Sequence, residues 1–440
     1  MDQKFLINGG KKLKGEINIS GAKNAVLKLM AAALLLDDAC EIHNVPELAD
    51  VQIMVEVLRS LGAKVDYDTD EKKIIIDSST LTSVEACYEL VSKMRASFTV
   101  LGALLGRCKE AKVALPGGCS IGERRIDFHI KGLEALGAQI KIEGGYVIAK
   151  AKKLIGTTVY LDRPSVGATE NIMIAAILAE GSTIISNAAQ EPEIVDLANF
   201  LNALGGDVTG AGTSEIIING VKQKDLHPTI YTTIPDRIEA GTYIAAVVAT
   251  RGKAVIRNIF PSHLSAVISK LTDMGANINI LDPFSIEISC GKIINAVNIV
   301  TQPHPGFPTD LQSPFMSVLA VAEGISVITE SIYENRFRQI GELTRMGANV
   351  QQEGNRAIVK GVKSLTGAQV KASDLRAGAS LLVAALCAEG TTEITDLYHI
   401  DRGYEKVLEK LSGIGADIQR VNITESDINA KLIADEIRVI

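Results

Sequence analysis

One short motif recurs six times along this chain of 440 residues and narrows what it can fold into. The copies read LRSLGAKV from Leu58, LEALGAQI from Leu133, LNALGGDV from Leu201, LTDMGANI from Leu271, LTRMGANV from Leu343 and LSGIGADI from Leu411. Their glycines, Gly62, Gly137, Gly205, Gly275, Gly347 and Gly415, stand 68–75 residues apart. In every copy a leucine-spaced amphipathic helix ends at Gly, the residue that enters a left-handed cap without strain. An alternating apolar stretch such as AKVDYD follows, the pattern of a half-buried strand. A second, alanine-rich helix with a wide apolar face is predicted upstream of each glycine. Six such units exceed one hydrophobic core, so the chain should form two domains of three units each.

The upstream helices carry polar groups at their front ends: Lys23, Arg95, Glu170, Arg237, Asp310 and Arg376. Acids suit a helix N-terminus, so three arginines and a lysine there oppose the macrodipole. That misfit points to an anionic ligand such as phosphate. The net charge of −7 and the absence of Trp argue against a nucleic-acid surface. Lys28 interrupts the longest apolar run and the N-terminal MDQKFLINGGKKLKG has no apolar core, so neither a membrane span nor a signal peptide is expected. A cytoplasmic protein follows. Its six cysteines include no CxxC and no Cys/His pair at zinc spacing, and no metal site is expected.

Cys119 differs from the other five. It lies in ALPGGCSIGERRIDFHIKG, a glycine-rich loop present in one unit only, with Arg124 and Arg125 close behind. Nearby cations favour the thiolate, and a mobile loop can close over a ligand.

At these residues the chain resembles the UDP-N-acetylglucosamine 1-carboxyvinyltransferases, a branch of the enolpyruvyl transferase family. The likeness runs from about residue 4 to residue 421 through ISGAKNA at Ile19, MRAS at Met94, LPGGCSIG at Leu115, SVGATENI at Ser165, PDRIEAGT at Pro235, HPGFPTDLQ at His304, ENRF at Glu334, SDLRAGAS at Ser373 and YHIDRGYEK at Tyr398. It implies an α/β (α+β) protein of two inside-out α/β barrels, each of three βαβαββ repeats. Residues 22–231 would form one domain. Residues 1–21 and 232–440 would form the other, with the active site in the cleft between them.

The reaction so implied moves the enolpyruvyl group of phosphoenolpyruvate to the 3′-hydroxyl of UDP-N-acetylglucosamine through a tetrahedral ketal and then expels phosphate. It opens peptidoglycan precursor synthesis, and with it cell-wall biogenesis, cell shape and division. The resemblance gives Cys119 the role of acid at the vinyl carbon, Asp310 that of base at the sugar hydroxyl, and Lys23 a catalytic contact with phosphoenolpyruvate. Asn24, Arg124, Arg376 and Arg402 join Lys23 around that substrate. Asn24, Arg95, Arg124, Arg125, Ile126, Asp127, Phe128, Arg163, Ser165, Val166, Gly167, Asp310 and Ile332 are implied for the UDP-sugar. No cofactor is implied, and the loop thiol is the family's target for the epoxide fosfomycin. Asp236-Arg237 and Glu334-Asn335-Arg336 are candidates for ion pairs between the domains. Two departures stand out: Arg125 replaces the family's proline, and residues 422–440 run past its usual end. A related transferase with another nucleotide-sugar or hydroxyl acceptor is the alternative that Arg125 raises, and a shikimate-type enzyme fits the SGAKNA start less well.

Overall fold

The computed structural model describes residues 3–116 and 126–423. Cys119, Arg124 and Arg125 lie outside the described residues, as do residues 424–440. All six motif glycines adopt the left-handed conformation, with φ between 88° and 99°. The caps are formed by backbone groups. Gly62 N donates to Arg59 O and Ala63 N to Leu58 O, and the same pair of bonds recurs at Gly137, Gly205, Gly347 and Gly415. Each pair satisfies carbonyls that a helix end would otherwise leave bare.

One repeat shows the unit. Strand Thr158–Tyr160 leads through helix Val166–Ala176 to strand Ser182–Ser186, which lies parallel to it. Helix Pro192–Ala203 and strands Asp207–Thr209 and Glu215–Asn219 complete a four-stranded sheet, the last strand pairing antiparallel with Ser182–Ser186. Six sheets of four strands follow this plan. Alternating burial along the strands shows that one sheet face is covered. The alanine-rich helices are enclosed instead: Lys23–Ala32, Arg237–Ala249 and Leu375–Cys387 bury nearly every residue. Three such repeats together make an inside-out barrel, with helices innermost and sheets around them. Among the described residues no helix is long and apolar enough to cross a membrane.

Three sheets are completed by strands distant in sequence. Gln3–Asn8 inserts between Thr391–Thr395 and Asp417–Asn422, setting Phe5 opposite Ile394 and Arg420. Lys14–Asn18 pairs with Lys253–Arg257, and Ile230–Thr232 pairs with Ala39–His43.

The chain divides into two compact units, residues 1–19, 238–301 and 307–440, and residues 20–237 with 302–306. The second is wider than the span 22–231 read from sequence. Gly21 bridges to Pro235, Ala22 N donates to Ile234 O at 2.7 Å and Asp236 N donates to Ser20 O at 2.9 Å, so these flanks pack with the unit that carries Lys23. Gly21 is obligatory there, because a Cβ would lie 1.7 Å from Asn44 O. His304 N, in the inserted segment, faces Glu191 Oε1 at 3.5 Å.

Candidate active site

The expected residues divide between the two units. In the unit that carries it, Lys23 is the first residue of helix Lys23–Ala32 and is 7% exposed. Its Nζ lies 2.9 Å from Asp50 Oδ2, and its backbone N–H points to Asp236 Oδ2 at 3.3 Å. Asn24 beside it is half-buried. Asp50 sits in the first turn of helix Ala49–Ser60 and was not singled out in the sequence, since its partner is 27 residues away on another helix.

Ile126, Asp127 and Phe128 start helix Asp127–Ala135, and the Arg163 guanidinium lies over the Phe128 ring, 5.6 Å from its centroid. Ser165 caps helix Val166–Ala176 by accepting from Ala168 N at 3.4 Å. Behind Gly167 stands His129, whose Cε1 would be 3.1 Å from a Cβ at that glycine, so any larger residue there would push the ring back by a few tenths of an ångström. Asn171 Nδ2 donates to His129 Nδ1 at 2.8 Å, which leaves the imidazole proton on Nε2. Burial, assisted by Arg95 and Lys28, pushes the pKa of His129 down to about 3, so the ring is a neutral support at working pH. The structure therefore joins two stretches that the sequence placed in one binding role, 126–128 and 163–167, through a histidine of no assigned function.

In the other unit Asp310 opens helix Thr309–Leu319 as a partly exposed carboxylate between two guanidiniums. Arg336 Nη2 is 2.7 Å from Oδ1 and Arg376 Nη2 is 2.9 Å from Oδ2. Arg376 is itself held. Its Nη1 donates to Tyr404 Oη at 3.1 Å, and Tyr404 Oη bonds Thr242 Oγ1 at 2.9 Å. Asp374 caps helix Leu375–Cys387 by accepting from Arg376 N and Ala377 N. Ile332 N donates to the buried Glu330 at 2.8 Å. Arg402 follows helix Tyr398–Asp401 with its guanidinium over the Tyr398 ring, 5.9 Å from the centroid.

Two sequence expectations change. Arg336 pairs with Asp310 inside one unit, and Arg237 pairs with Glu193 at 3.0 Å inside the other, so neither arginine needs the other domain for its partner. Glu170, noted in the sequence as a polar group near a helix front, has a structural place. It is fully buried beside Lys28, with Nζ 2.9 Å from Oε2 in an ion pair too skewed for an aligned hydrogen bond. Burial pushes its pKa up to about 7. Cys40 and Cys387, pushed up to about 12 by burial, are inert thiols.

Comparison with known proteins gives this geometry a family context. A family model described as EPSP synthase (3-phosphoshikimate 1-carboxyvinyltransferase) matches residues 7–411. The chain is similar to UDP-N-acetylglucosamine 1-carboxyvinyltransferase 2 of Carboxydothermus hydrogenoformans, with 53% identity over 421 residues that cover 96% of this chain and 100% of the relative. It is 52% identical to UDP-N-acetylglucosamine 1-carboxyvinyltransferase of Gloeobacter violaceus over 419 residues, 95% of this chain and 91% of that one. Among solved structures, the enolpyruvyl transferase NikO from Streptomyces tendae aligns with a TM-score of 0.86 at 26% identity, covering 96% of this chain and 100% of that one.

Proposed function

Because this chain belongs to the enolpyruvyl (carboxyvinyl) transferase family, in the branch of the UDP-N-acetylglucosamine 1-carboxyvinyltransferases, we propose that it transfers the enolpyruvyl group of phosphoenolpyruvate to the 3′-hydroxyl of UDP-N-acetylglucosamine. The observation that carries this reading is the Asp310 carboxylate gripped by Arg336 and Arg376. An anionic carboxylate fixed at a helix start can accept the sugar hydroxyl proton, and the guanidiniums beside it suit the anionic groups of the second substrate.

In the addition step the 3′-oxygen bonds to C2 of phosphoenolpyruvate, its proton passes to Asp310, and C3 receives a proton from Cys119. Loss of a C3 proton then expels phosphate from C2 and restores the vinyl group. Both half-reactions balance without a cofactor. Lys23, Asn24, Arg124, Arg376 and Arg402 hold the phosphate and carboxylate of phosphoenolpyruvate, and Lys23 also offsets charge that develops as the C–O bonds change. Arg95, Arg124, Arg125, residues 126–128 and 163–167, and Ile332 take the UDP-sugar, with Asn24 on its sugar. The reaction is cytoplasmic, begins peptidoglycan precursor synthesis and exposes Cys119 to fosfomycin.

The test is phosphate release by the purified chain. Release that requires both substrates and collapses in Asp310→Ala and in Cys119→Ser supports the reading. No release from the unaltered protein, or release with phosphoenolpyruvate alone, sinks it.

A further inference from the structure

The six repeats have equivalent positions just after their second strand, and four of them hold a left-handed Asn or Asp: Asn44, Asn187, Asn258 and Asp396, with φ of 55–59°. The three asparagines do one job. Asn44 Nδ2 donates to Thr233 O at 3.0 Å, Asn187 Nδ2 to Leu161 O at 2.8 Å and Asn258 Nδ2 to Ile19 O at 2.6 Å. Each amide thus ties down the carbonyl that follows the neighbouring parallel strand. Two repeats depart from this pattern. One has Leu115, which opens the Cys119 loop, and the other has Glu330, after strand Ile325–Thr329.

Glu330 is 2% exposed and its carboxylate is fully used. Oε1 accepts from Thr301 Oγ1 at 2.8 Å, from Ile332 N at 2.8 Å and from Tyr333 N at 3.2 Å. Oε2 accepts from Thr309 Oγ1 at 2.9 Å. Thr309 Oγ1 in turn accepts from Arg336 Nη1 at 3.0 Å, and the other end of that guanidinium holds Asp310. A buried carboxylate is costly unless donors surround it, a neutral amide suffices for the strand tie in three repeats, and the Asp396 carboxylate of a fourth is exposed and pairs with Lys371 at 3.0 Å. The charge therefore needs a local reason, and the only repeat that holds a glutamate here is the one that carries Asp310.

We infer that Glu330 is a positioning residue for the proposed transfer, joining the turn that bears Ile332 to Thr309 and Arg336 and thereby setting Asp310 against the sugar hydroxyl. This rests on the reaction proposed above. The charged groups around Asp310 include Arg336 and Arg376 in contact, Glu330 beyond the Thr309 hydroxyl, and Asp374 at the cap of the helix that carries Arg376. Glu330 supplies the negative charge that balances the Arg336 side of this set.

The experiment compares the pH dependence of kcat/KM for the unaltered enzyme, Glu330→Gln and Glu330→Asp, with phosphoenolpyruvate and UDP-N-acetylglucosamine as substrates. Loss of the negative charge favours ionised Asp310, so Glu330→Gln moves the acid-side midpoint down by about 0.5–1 unit. Its kcat falls about 10–100-fold, because a misplaced base costs that much. Glu330→Asp keeps the charge and leaves the midpoint in place. A Glu330→Gln enzyme with kcat within about twofold of the unaltered one overturns the inference. So does a kcat loss with an unmoved midpoint, which marks a merely structural role. If Glu330→Gln fails to fold, Thr309→Val decides, since it cuts the same link without touching a buried charge: a kcat loss of at least about fivefold supports the link and full activity refutes it. An unaltered enzyme that forms no product brings down the reaction and this inference together. Turnover beside an indifferent Glu330→Gln brings down the inference alone.

Discussion

Replacing Gly102 by alanine tests how tightly the helices of the Lys23 unit are packed and whether that packing reaches residues 163–167, proposed above to take the UDP-sugar. Gly102 lies in helix Val100–Cys108 against helix Val166–Ala176, and a Cβ there would stand 2.3 Å from Asn171 O and 2.7 Å from Asn171 Oδ1. The obstacle is backbone, so the helices must part by about 1 Å to restore ordinary contact. Gly102 N also donates to Asn171 Oδ1 at 2.7 Å, and that bond is strained or lost. Overpacking costs about 1–3 kcal/mol and a lost bond about 1 kcal/mol, while alanine returns about 1 kcal/mol of helix propensity. The net is about 2 kcal/mol of destabilisation, or about 4–8 °C in Tm for a unit of this size. Gly341 is the control. It is an exposed residue of helix Gln339–Arg345 with no atom within 4 Å of a Cβ, so Gly341→Ala stabilises by about 1 kcal/mol. Thermal melts of the two variants should move in opposite directions. Because Asn171 also holds His129 behind Gly167, Gly102→Ala should raise KM for UDP-N-acetylglucosamine several-fold, whereas Gly341→Ala should not. Melting points that shift together, or a destabilised Gly102→Ala with an unchanged KM, would refute this chain of contacts.

Further expectations follow from single side chains. Tyr404→Phe removes the hydroxyl that joins Arg376 to Thr242, so KM for phosphoenolpyruvate should rise while stability falls by about 1 kcal/mol; an unchanged KM in steady-state kinetics would show that Arg376 holds its place without it. Glu170 is an acid whose folded pKa, about 7, exceeds its unfolded value near ~4.3, so the folded state binds the proton more tightly and its contribution to stability is lost as pH rises through 7. Denaturant titrations at pH 5 and pH 8 should show the unaltered protein losing up to about 3 kcal/mol from this group, and Glu170→Gln should flatten that slope. A slope of the same size in the variant would assign the effect to another group.

The repeat was legible because cap and strand signals are local. Gly62 and its five counterparts announce a left-handed turn by residue type alone, and the alternation after each gives the strand. The alanine-rich runs read as buried helices for the same reason. Asp310, Arg376 and Lys23 could be singled out through motifs, but their partners could not. Asp50, Arg336, Tyr404 and Glu330 approach from other elements, and no spacing rule links positions brought together by packing inner helices side by side. Glu170 adds a buried case: it reads from sequence only as a polar group near a helix start, and packing alone sets it beside Lys28. The unit boundary also escaped, because the pairing of Gly21 with Pro235 joins segments more than 200 residues apart. The asparagine tie was visible in principle, as Asn44, Asn187 and Asn258 stand one residue past their strands, and that regularity makes Glu330 conspicuous.

Turnover in deuterium oxide tests the central claim most directly. Addition–elimination converts C3 of phosphoenolpyruvate into a methyl group before one hydrogen leaves, so the product isolated after brief reaction with UDP-N-acetylglucosamine should carry solvent deuterium in its vinyl group by mass spectrometry. A carboxyvinyl product formed at full rate with both original C3 hydrogens retained would contradict protonation by Cys119 and the ketal route together.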